Sequence, residues 1–438
     1  MIPIVLKEGF LERRKSTKLF AKIGIVVLVL LFLLLPGLLR ENNLPIGDKS
    51  YYHLRMAEGG EDSLSFSGRE NVNARGWNFL LKWIPLNVLL FVMGIISLVL
   101  FFLILKPLSL TEKILSMGFL IVSPAFIYLF NVGERYGIGI LFSLAVFYFL
   151  VNKKNILAGV SLVIMFSLDY TMALFVLFLG LLWFFHKKKA VFSGLLILFL
   201  IFIFVFGEWK SNFISDLGAL IGISIFGLFF IVFCLILFWN KRKFLPLYGV
   251  LLGLFLFSLR VEFGIFYFSL FLSVLMALFF VELYKMKWES KLIRDLTFLI
   301  VVCGLLFSGL SYVNRLGSGM PSDEIFDALN EIPEGHVVFS DIGYGNWISF
   351  NGKKNVWDSF TNVPKFEERR KELMELIDSR DAFRTNEILN KYEVDYILVD
   401  SRIREKWGDA GLLYLLRYNS EGFRKVKDEE IEIWRYYK

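Results

Sequence analysis

The sequence predicts a polytopic α-helical membrane protein with a small α/β domain at its carboxyl end. The chain of 438 residues is 56% hydrophobic and 20% charged, with a mean hydropathy of +0.60. This composition excludes an ordinary soluble protein. Apolar runs of about 15 to 22 residues recur along the first three quarters, and helices of roughly that length cross a bilayer. The last quarter is polar and mixes β-branched runs with helical segments.

These runs predict eleven transmembrane helices. The first run follows a basic segment, as a signal peptide would, but it is long and no small-residue cleavage site follows it, so we expect a retained span. Two of the runs, 156–168 and 171–185, are short, and a re-entrant pair is the alternative there. The predicted spans are residues 20–39, 84–105, 114–130, 138–151, 156–168, 171–185, 190–206, 219–239, 244–258, 263–284 and 296–313.

The positive charges predict the orientation of the chain. The net charge of +7 is spread between the apolar runs and forms no single patch, so we expect no nucleic-acid partner. Cationic clusters occupy every second connection, and the positive-inside tendency places them in the cytoplasm. They lie at residues 13–15, 106 and 113, 153–154, 187–189, 241–243 and 285–294. We therefore expect a multi-pass protein of the cell membrane with a cytoplasmic amino terminus and an extracytoplasmic tail.

The tail reads as a separate domain. Residues 336–340 and 395–400 are short apolar strands, and the segments 365–379 and 381–391 between them are helical. The closing stretch 423–437 alternates on either side of an acidic turn, which is typical of a hairpin. The predicted domains are residues 1–313, with an external loop at 40–83, and residues 314–438.

The outer connections carry most of the unusual polar residues. Carboxylates there have two ordinary explanations, solvated loop charge or ligation of a hard cation such as Mg²⁺ or Mn²⁺. These residues are Asp48, His53 and Arg55 in the first connection, Glu134 and Arg135 in the second, Asp169 in the third, Glu208 and Lys210 in the fourth, and Arg260 and Glu262 in the fifth.

Three of these segments carry a resemblance to a family. The stretch GDKSYYHLR (47–55) resembles the first external-loop motif of the oligosaccharyltransferase catalytic subunit and its GT-C superfamily relatives. In that family an Asp before such a stretch helps to hold the catalytic divalent cation, and Asp48 matches it. The segment GERYGIGI (133–140) occupies the place of the second acidic motif, with Glu134 as the first acid. Arg260 matches an arginine that approaches the donor phosphates or the acceptor.

The tail extends the resemblance and also departs from it. Residues 337–359 look like a degenerate version of the family's Trp-Trp-Asp-Tyr-Gly region. The tandem tryptophans, which recognise the acceptor in the family, are here Phe339 and Ser340, and Asp341 is retained. Acceptor identity is therefore open. The glutamate of the family's long external loop has Glu208 and Glu262 as candidate counterparts.

The resemblance implies a GT-C-like fold and a metal-dependent glycosyltransferase. The substrates would be a polyprenyl-phosphate or pyrophosphate sugar donor, reached through the bilayer, and a protein or glycolipid acceptor at the outer face. The cofactor would be Mg²⁺ or Mn²⁺. The implied residues are Asp48 and Glu134 as metal ligands, these two with Arg260 in catalysis, and His53, Arg55, Arg135, Asp169, Glu262 and Asp341 in substrate binding.

Several alternatives stay open at this point. The chain could be a non-catalytic GT-C relative that binds a glycolipid or protein partner. It could also be a lipid-linked sugar transporter, but the clustering of acidic residues at one membrane face favours this less. Single residues also have plainer explanations. His53 could be a packed residue, Asp169 a helix cap, and the aromatic residues Tyr51, Tyr52, Trp77 and Trp83 could lie at the membrane interface.

Overall fold

The computed structural model describes residues 15–40, 42, 44–59, 61–65, 68–70, 75–185, 194, 212–241, 244–318, 321–360 and 365–438. The chain divides into two compact units. The first, the membrane unit, comprises Met1–Glu41 and Leu86–Ser318, and the second, the carboxyl-terminal unit, comprises Asn42–Pro85 and Gly319–Lys438. The segment predicted as an external loop of the first domain thus belongs to the same unit as the tail.

Helices make up most of the described chain. Those formed largely from apolar runs are α1 Lys15–Leu38, α4 Leu86–Ile104, α5 Leu110–Ile121, α6 Pro124–Leu129, α7 Tyr136–Val151, α8 Asn155–Leu168, α9 Tyr170–Phe185, α10 Ile225–Phe238, α11 Leu245–Arg260, α12 Gly264–Lys285 and α13 Lys291–Gly317. Those of the carboxyl-terminal unit are α2 Asp48–Glu58, α3 Arg75–Leu81, α14 Asp323–Asn330, α15 Gly345–Phe350, α16 Phe366–Asp378, α17 Ala382–Lys391, α18 Ser401–Trp407 and α19 Leu412–Tyr418.

The predicted multi-pass helical architecture is confirmed at this coarse level. Within the described ranges, α4, α12 and α13 are long and apolar enough to cross a membrane, and six shorter apolar helices accompany them. Apart from residue 194, the predicted span 190–206 lies outside the described residues, and the number eleven stays a prediction.

The predicted span 114–130 is wrong as a single helix. It is divided, because α5 ends at Ile121 and α6 begins at Pro124. Proline has no N–H for the preceding turn, so it favours the first position of a new helix. The side chain of Ser123 caps that new helix by accepting a hydrogen bond from the Phe126 N–H at 3.2 Å.

Small residues allow the helices of the membrane unit to approach closely. Helix α7 packs against α4 and α8, and α12 packs against α5 and α11. On α13, a Cβ atom at Gly309 would lie 2.7 Å from the carbonyl oxygen of Val122. Such backbone approach is a common basis of helix association in lipid.

The carboxyl-terminal unit is built around a five-stranded sheet. Its strands are β3 Val337–Phe339, β4 Lys354–Asn355, β5 Tyr396–Asp400, β6 Phe423–Asp428 and β7 Ile431–Tyr436, while β1 Glu61–Asp62 and β2 Arg69–Glu70 form a separate antiparallel pair. The order is β4-β3-β5-β7-β6, with β3 parallel to β4 and β5, and with β7 antiparallel to β5 and β6. The predicted strands, helices and closing hairpin of the tail correspond to β3, β5, α16, α17 and β6–β7.

The stretch 47–55 is helical rather than an open loop, since α2 begins at Asp48. Tyr51 is fully buried and contacts the rings of Phe326 and Phe350, with centroids 5.5 and 5.0 Å away. Tyr52 and Trp77 are buried as well. The interfacial interpretation of these three aromatic residues is therefore wrong, because their side chains are buried within the protein.

Candidate functional site

Asp48 lies at the first position of α2, where two side chains from the tail hold it. Gly47 precedes it with a φ of 82°, a left-handed conformation that glycine adopts without strain. The Oδ2 atom of Asp48 accepts hydrogen bonds from the Ser359 hydroxyl and from Nδ2 of Asn346, the latter at 3.2 Å. Asn346 Nδ2 also donates to the Ser359 oxygen at 3.3 Å. The three side chains form one hydrogen-bonded cluster, which we call the Asp48 cluster.

The surroundings of Asp48 change its ionisation. Desolvation raises the pKa of the carboxyl above its ordinary value of 3.8, while the Ser359 hydrogen bond and the Lys49 charge act in the opposite direction. The two side-chain donors of the cluster are neutral, so they orient the carboxylate without cancelling its charge. An oriented carboxylate of this type is a ligand that hard divalent cations prefer.

The other polar residues of α2 are engaged inside the carboxyl-terminal unit. The Arg55 guanidinium forms an ion pair with the fully buried Asp62 on β1. His53 is 3% exposed, and its Nδ1 lies 3.0 Å from Oδ1 of Asn78 on α3. Both contacts tie α2 to the segment that follows it, which favours the packed-residue interpretation of His53. The roles of His53 and Arg55 in substrate binding stay predictions.

The second acidic segment, between α6 and α7, is buried in the membrane unit. Glu134 is 3% exposed, and its Oε1 accepts a hydrogen bond of 2.6 Å from the Tyr128 hydroxyl. The next residue, Arg135, pairs through Nε with Oδ2 of Asp169 at 3.1 Å. The hydroxyl of Tyr136 donates to Oε2 of Glu262 at 3.0 Å. Arg135 and Tyr136, which are adjacent in the sequence, therefore contact two other connections between helices.

These contacts gather the predicted residues at one end of the membrane unit. Arg135 links the α6–α7 connection to the α8–α9 connection, and Tyr136 links it to the α11–α12 connection. Arg260, the last residue of α11, lies two positions before Glu262. The result is a group of acids and arginines where three connections meet. The predicted Glu208 and Lys210 lie outside the described residues.

Asp169 divides its two oxygens between two tasks. Its Oδ1 accepts the backbone N–H groups of Thr171 at 3.0 Å and Met172 at 3.1 Å, which caps the start of α9. Its Oδ2 takes part in the ion pair with Arg135. The helix-cap interpretation therefore describes one oxygen, and an ion pair that sequence patterns do not show occupies the other.

Replacing Asp169 with asparagine is expected to destabilise the membrane unit. The amide oxygen can retain the cap, but Arg135 loses the charge of Asp169. Because Arg135 is partly exposed, we expect a cost of about 3 kcal/mol of unfolding free energy, the low end for breaking a buried ion pair. The shift would appear as a lower midpoint of thermal unfolding in detergent. The matched control is Asp216→Asn, because Asp216 is exposed and accepts the Ile225 N–H at the start of α10. Equal midpoints for the two variants would contradict a stabilising role for the Arg135–Asp169 pair.

Asp341 lies just after β3 and is engaged on both oxygens. Its Oδ1 pairs with Nζ of Lys406 at 2.6 Å, and its Oδ2 accepts the Gly343 N–H at 3.4 Å. It therefore fixes the turn that begins the degenerate motif. Its predicted contact with substrate stays a prediction.

A complete cation site is not formed by nearby side chains in the described part of the chain, where no group of three or more His, Cys, Asp and Glu residues comes together. The two predicted ligands, Asp48 and Glu134, belong to different units. Their oxygens fit Mg²⁺ or Mn²⁺ by donor type.

Sequence reasoning missed four residues that hold the acids in place. They are Asn346 and Ser359 at Asp48, Tyr128 at Glu134, and Tyr136 at Glu262. Tyr136 lies two residues and Tyr128 six residues from Glu134 in the sequence, and this proximity was an available signal. Asn346 and Ser359 are 298 and 311 residues from Asp48, and no local pattern marks them.

Comparison with known proteins identifies the fold. No family model and no curated protein sequence matches this chain. Among solved structures, it resembles the oligosaccharyltransferase of Archaeoglobus fulgidus in complex with Zn and sulfate, with a TM-score of 0.58 and 13% identity over 90% of this chain and 70% of that one. The apo form gives a TM-score of 0.54 with 10% identity over 94% and 73% of the two chains. The form tethered to an acceptor peptide containing the NVT sequon gives 0.51 with 10% identity over 90% and 72%.

The chain therefore has a fold that resembles that of an oligosaccharyltransferase, as the sequence motifs predicted. It is a multi-pass membrane protein of that architecture. At these identities the similarity is one of fold.

Proposed function

We propose that this chain is a membrane glycosyltransferase of the GT-C type. It would move a sugar or oligosaccharide from a polyprenyl-phosphate or pyrophosphate donor to a protein or glycolipid at the outer face of the cell membrane. The observation that carries this proposal is the fold, which is shared with an oligosaccharyltransferase over 90% of the chain. The acids and arginines gathered at one end of the membrane unit support it.

Transfer of the sugar requires positive charge near the departing phosphate and fixed polar groups around it. We assign Arg260 to the phosphate, since an arginine there offsets the charge that develops on the leaving group. Tyr128 orients Glu134 through its hydrogen bond, and Arg135 holds Asp169 in place through their ion pair. The polyprenyl chain of the donor would remain in the bilayer, which explains a site at the ends of membrane helices.

A divalent cation, Mg²⁺ or Mn²⁺, is part of the proposal. When bound, it supplies further positive charge that stabilises the leaving phosphate. We assign Asp48 and Glu134 to it on the sequence resemblance and on the donor type of their side chains. One structural neighbour holds Zn, which supports proposing a divalent ion here.

The acceptor and the orientation are also proposed. Another neighbour carries an acceptor peptide with the NVT sequon, which supports a protein acceptor. Phe339 and Ser340 replace the family's tandem tryptophans, so a glycolipid acceptor remains part of the proposal. We place the amino terminus in the cytoplasm and the carboxyl-terminal unit outside, as the cationic connections indicate.

Sugar transfer by the full chain in liposomes tests the proposal. The donor is a labelled polyprenyl-linked extract from the protein's own source, and acceptor lipids and proteins are both supplied. We expect labelled product that falls at least about tenfold with a chelator and returns with Mg²⁺ or Mn²⁺, because metal ligation at such sites controls activity on that scale. No transfer from any donor, with Mn²⁺ still bound, would instead support the non-catalytic relative.

A further inference from the structure

The side-chain hydrogen bonds of the Asp48 cluster all run toward Asp48. Asn346 donates to both Ser359 and Asp48, and Ser359 donates its single proton to Asp48. Both donors converge on the same oxygen, Oδ2, and neither reaches Oδ1. The cluster therefore fixes the rotation of the carboxylate while Oδ1 stays outside it.

The side chain of Asn346 is oriented so that its NH2 group donates to Asp48, and this orientation leaves its carbonyl oxygen unsatisfied. The residue is fully buried, and its Oδ1 has no hydrogen-bond partner among the described residues. Turning the amide over would point an acceptor at a carboxylate, so the orientation is set by Asp48. A buried polar atom without a partner is unfavourable, and native proteins retain few of them without a functional reason.

The backbone around both donors is also anchored. Nδ2 of Asn355 donates to the carbonyl of Gly345 at 2.8 Å, immediately before Asn346. Oδ1 of Asp358 accepts the Phe360 N–H at 2.9 Å, which closes a turn around Ser359. Donors on an anchored backbone can hold a ligand more accurately than donors on a loose loop.

We propose that Asn346 and Ser359 are positioning residues that lock Oδ2 of Asp48 and thereby set the orientation in which its carboxylate meets the divalent cation of the proposed transferase. This inference rests on the proposed function. The residues that orient Asp48 come from α15 and from the turn after β4. Partners that orient a metal ligand typically change metal affinity or activity by about 10- to 100-fold.

The test uses the full chain in nanodiscs and three readouts: kcat for sugar transfer, Mn²⁺ affinity by electron paramagnetic resonance without donor, and the midpoint of thermal unfolding. Ser359→Ala is expected to lower kcat and Mn²⁺ affinity about tenfold. Ser359→Thr keeps the hydroxyl and should restore both. Ser349→Ala is the matched control, since the Ser349 hydroxyl is buried on α15 and has no hydrogen-bond partner in the described part of the chain.

Asn346→Leu separates positioning from structure. This variant removes the donor together with the unsatisfied carbonyl oxygen, so the unfolding midpoint should hold or rise while Mn²⁺ affinity and kcat fall about tenfold. A purely structural role would give the opposite pattern, with a lower midpoint and unchanged Mn²⁺ affinity.

The outcomes distinguish the two proposals. If the wild type transfers no sugar but binds Mn²⁺, and Ser359→Ala weakens that binding, the proposed function fails and the positioning role stands. If Ser359→Ala behaves like Ser349→Ala in both kcat and Mn²⁺ affinity, the positioning role is overturned and the function stands. A wild type with neither transfer nor Mn²⁺ binding would overturn both.

Discussion

Replacement of Asp48 by asparagine is expected to reduce the rate of sugar transfer at least about 100-fold. Removal of one group that stabilises a transition state electrostatically typically has an effect of this size. Asparagine is nearly isosteric, and its oxygen can still accept from Ser359 and Asn346, so folding should be preserved. What is lost is the negative charge in a cluster whose two side-chain donors are neutral. The measurement is initial transfer rate in liposomes, with the unfolding midpoint as a check on folding.

The control for this variant lies on the same helix. Glu58 is exposed near the end of α2, and Glu58→Gln makes the same chemical change away from the cluster. We expect it to transfer sugar within about twofold of the wild type, as surface substitutions usually have small effects. If Asp48→Asn transferred sugar at the wild-type rate, Asp48 would have no role in the transfer reaction.

Alanine at Gly345 is expected to destabilise the carboxyl-terminal unit by about 3 kcal/mol or more, because overpacking against backbone cannot be relieved by a side-chain rotation. A Cβ atom there would lie 2.1 Å from the carbonyl oxygen of Trp357 and 2.6 Å from Cβ of Asp358. Relief would require α15 and the 357–359 turn to separate, which would also disperse the Asp48 cluster. Limited proteolysis and intrinsic tryptophan fluorescence during thermal unfolding would measure the loss.

Gly343→Ala is the matched control for that substitution. Its Cβ atom would meet Oδ2 of Asp341 at 3.7 Å, an ordinary van der Waals distance. We expect a change of less than about 0.5 kcal/mol, as for substitutions that meet no special feature. Comparable proteolysis of the two variants would show that the close approach at Gly345 is not what holds this region together.

The elements that could be predicted from the sequence are those with strong local patterns. Strand β5 is an apolar run that ends in Asp400, and all five of its residues are buried, as expected of a central strand. The span 114–130 failed because hydropathy alone does not register the break that Pro124 makes between α5 and α6. Helix α2 lies in a stretch predicted as an external loop because it falls between two apolar runs, whereas its Arg55 and His53 are engaged within the unit.

The candidate site was predictable to a different extent. The motifs and the outer connections led to the candidates Asp48, Glu134, Arg135, Asp169 and Glu262, and the structure brings the last four to connected ends of helices. The partners that fix these acids depend on tertiary contacts between distant segments. A single sequence carries no periodic or spacing signal for such contacts, so Asn346 and Ser359 became visible only in the structure.

The division of the carboxyl-terminal unit into two chain segments has a consequence for biogenesis. Asp48 is synthesised 298 residues before Asn346, which at about 5 to 20 residues per second amounts to a delay of about 15 to 60 s. During that interval the segment 42–85 lacks the core into which Tyr51 packs. Tyr51 lacks its ring partners Phe326 and Phe350 until the tail has been synthesised. Assembly of the Asp48 cluster is thus a late step of synthesis, and a nascent chain arrested before residue 359 cannot form it.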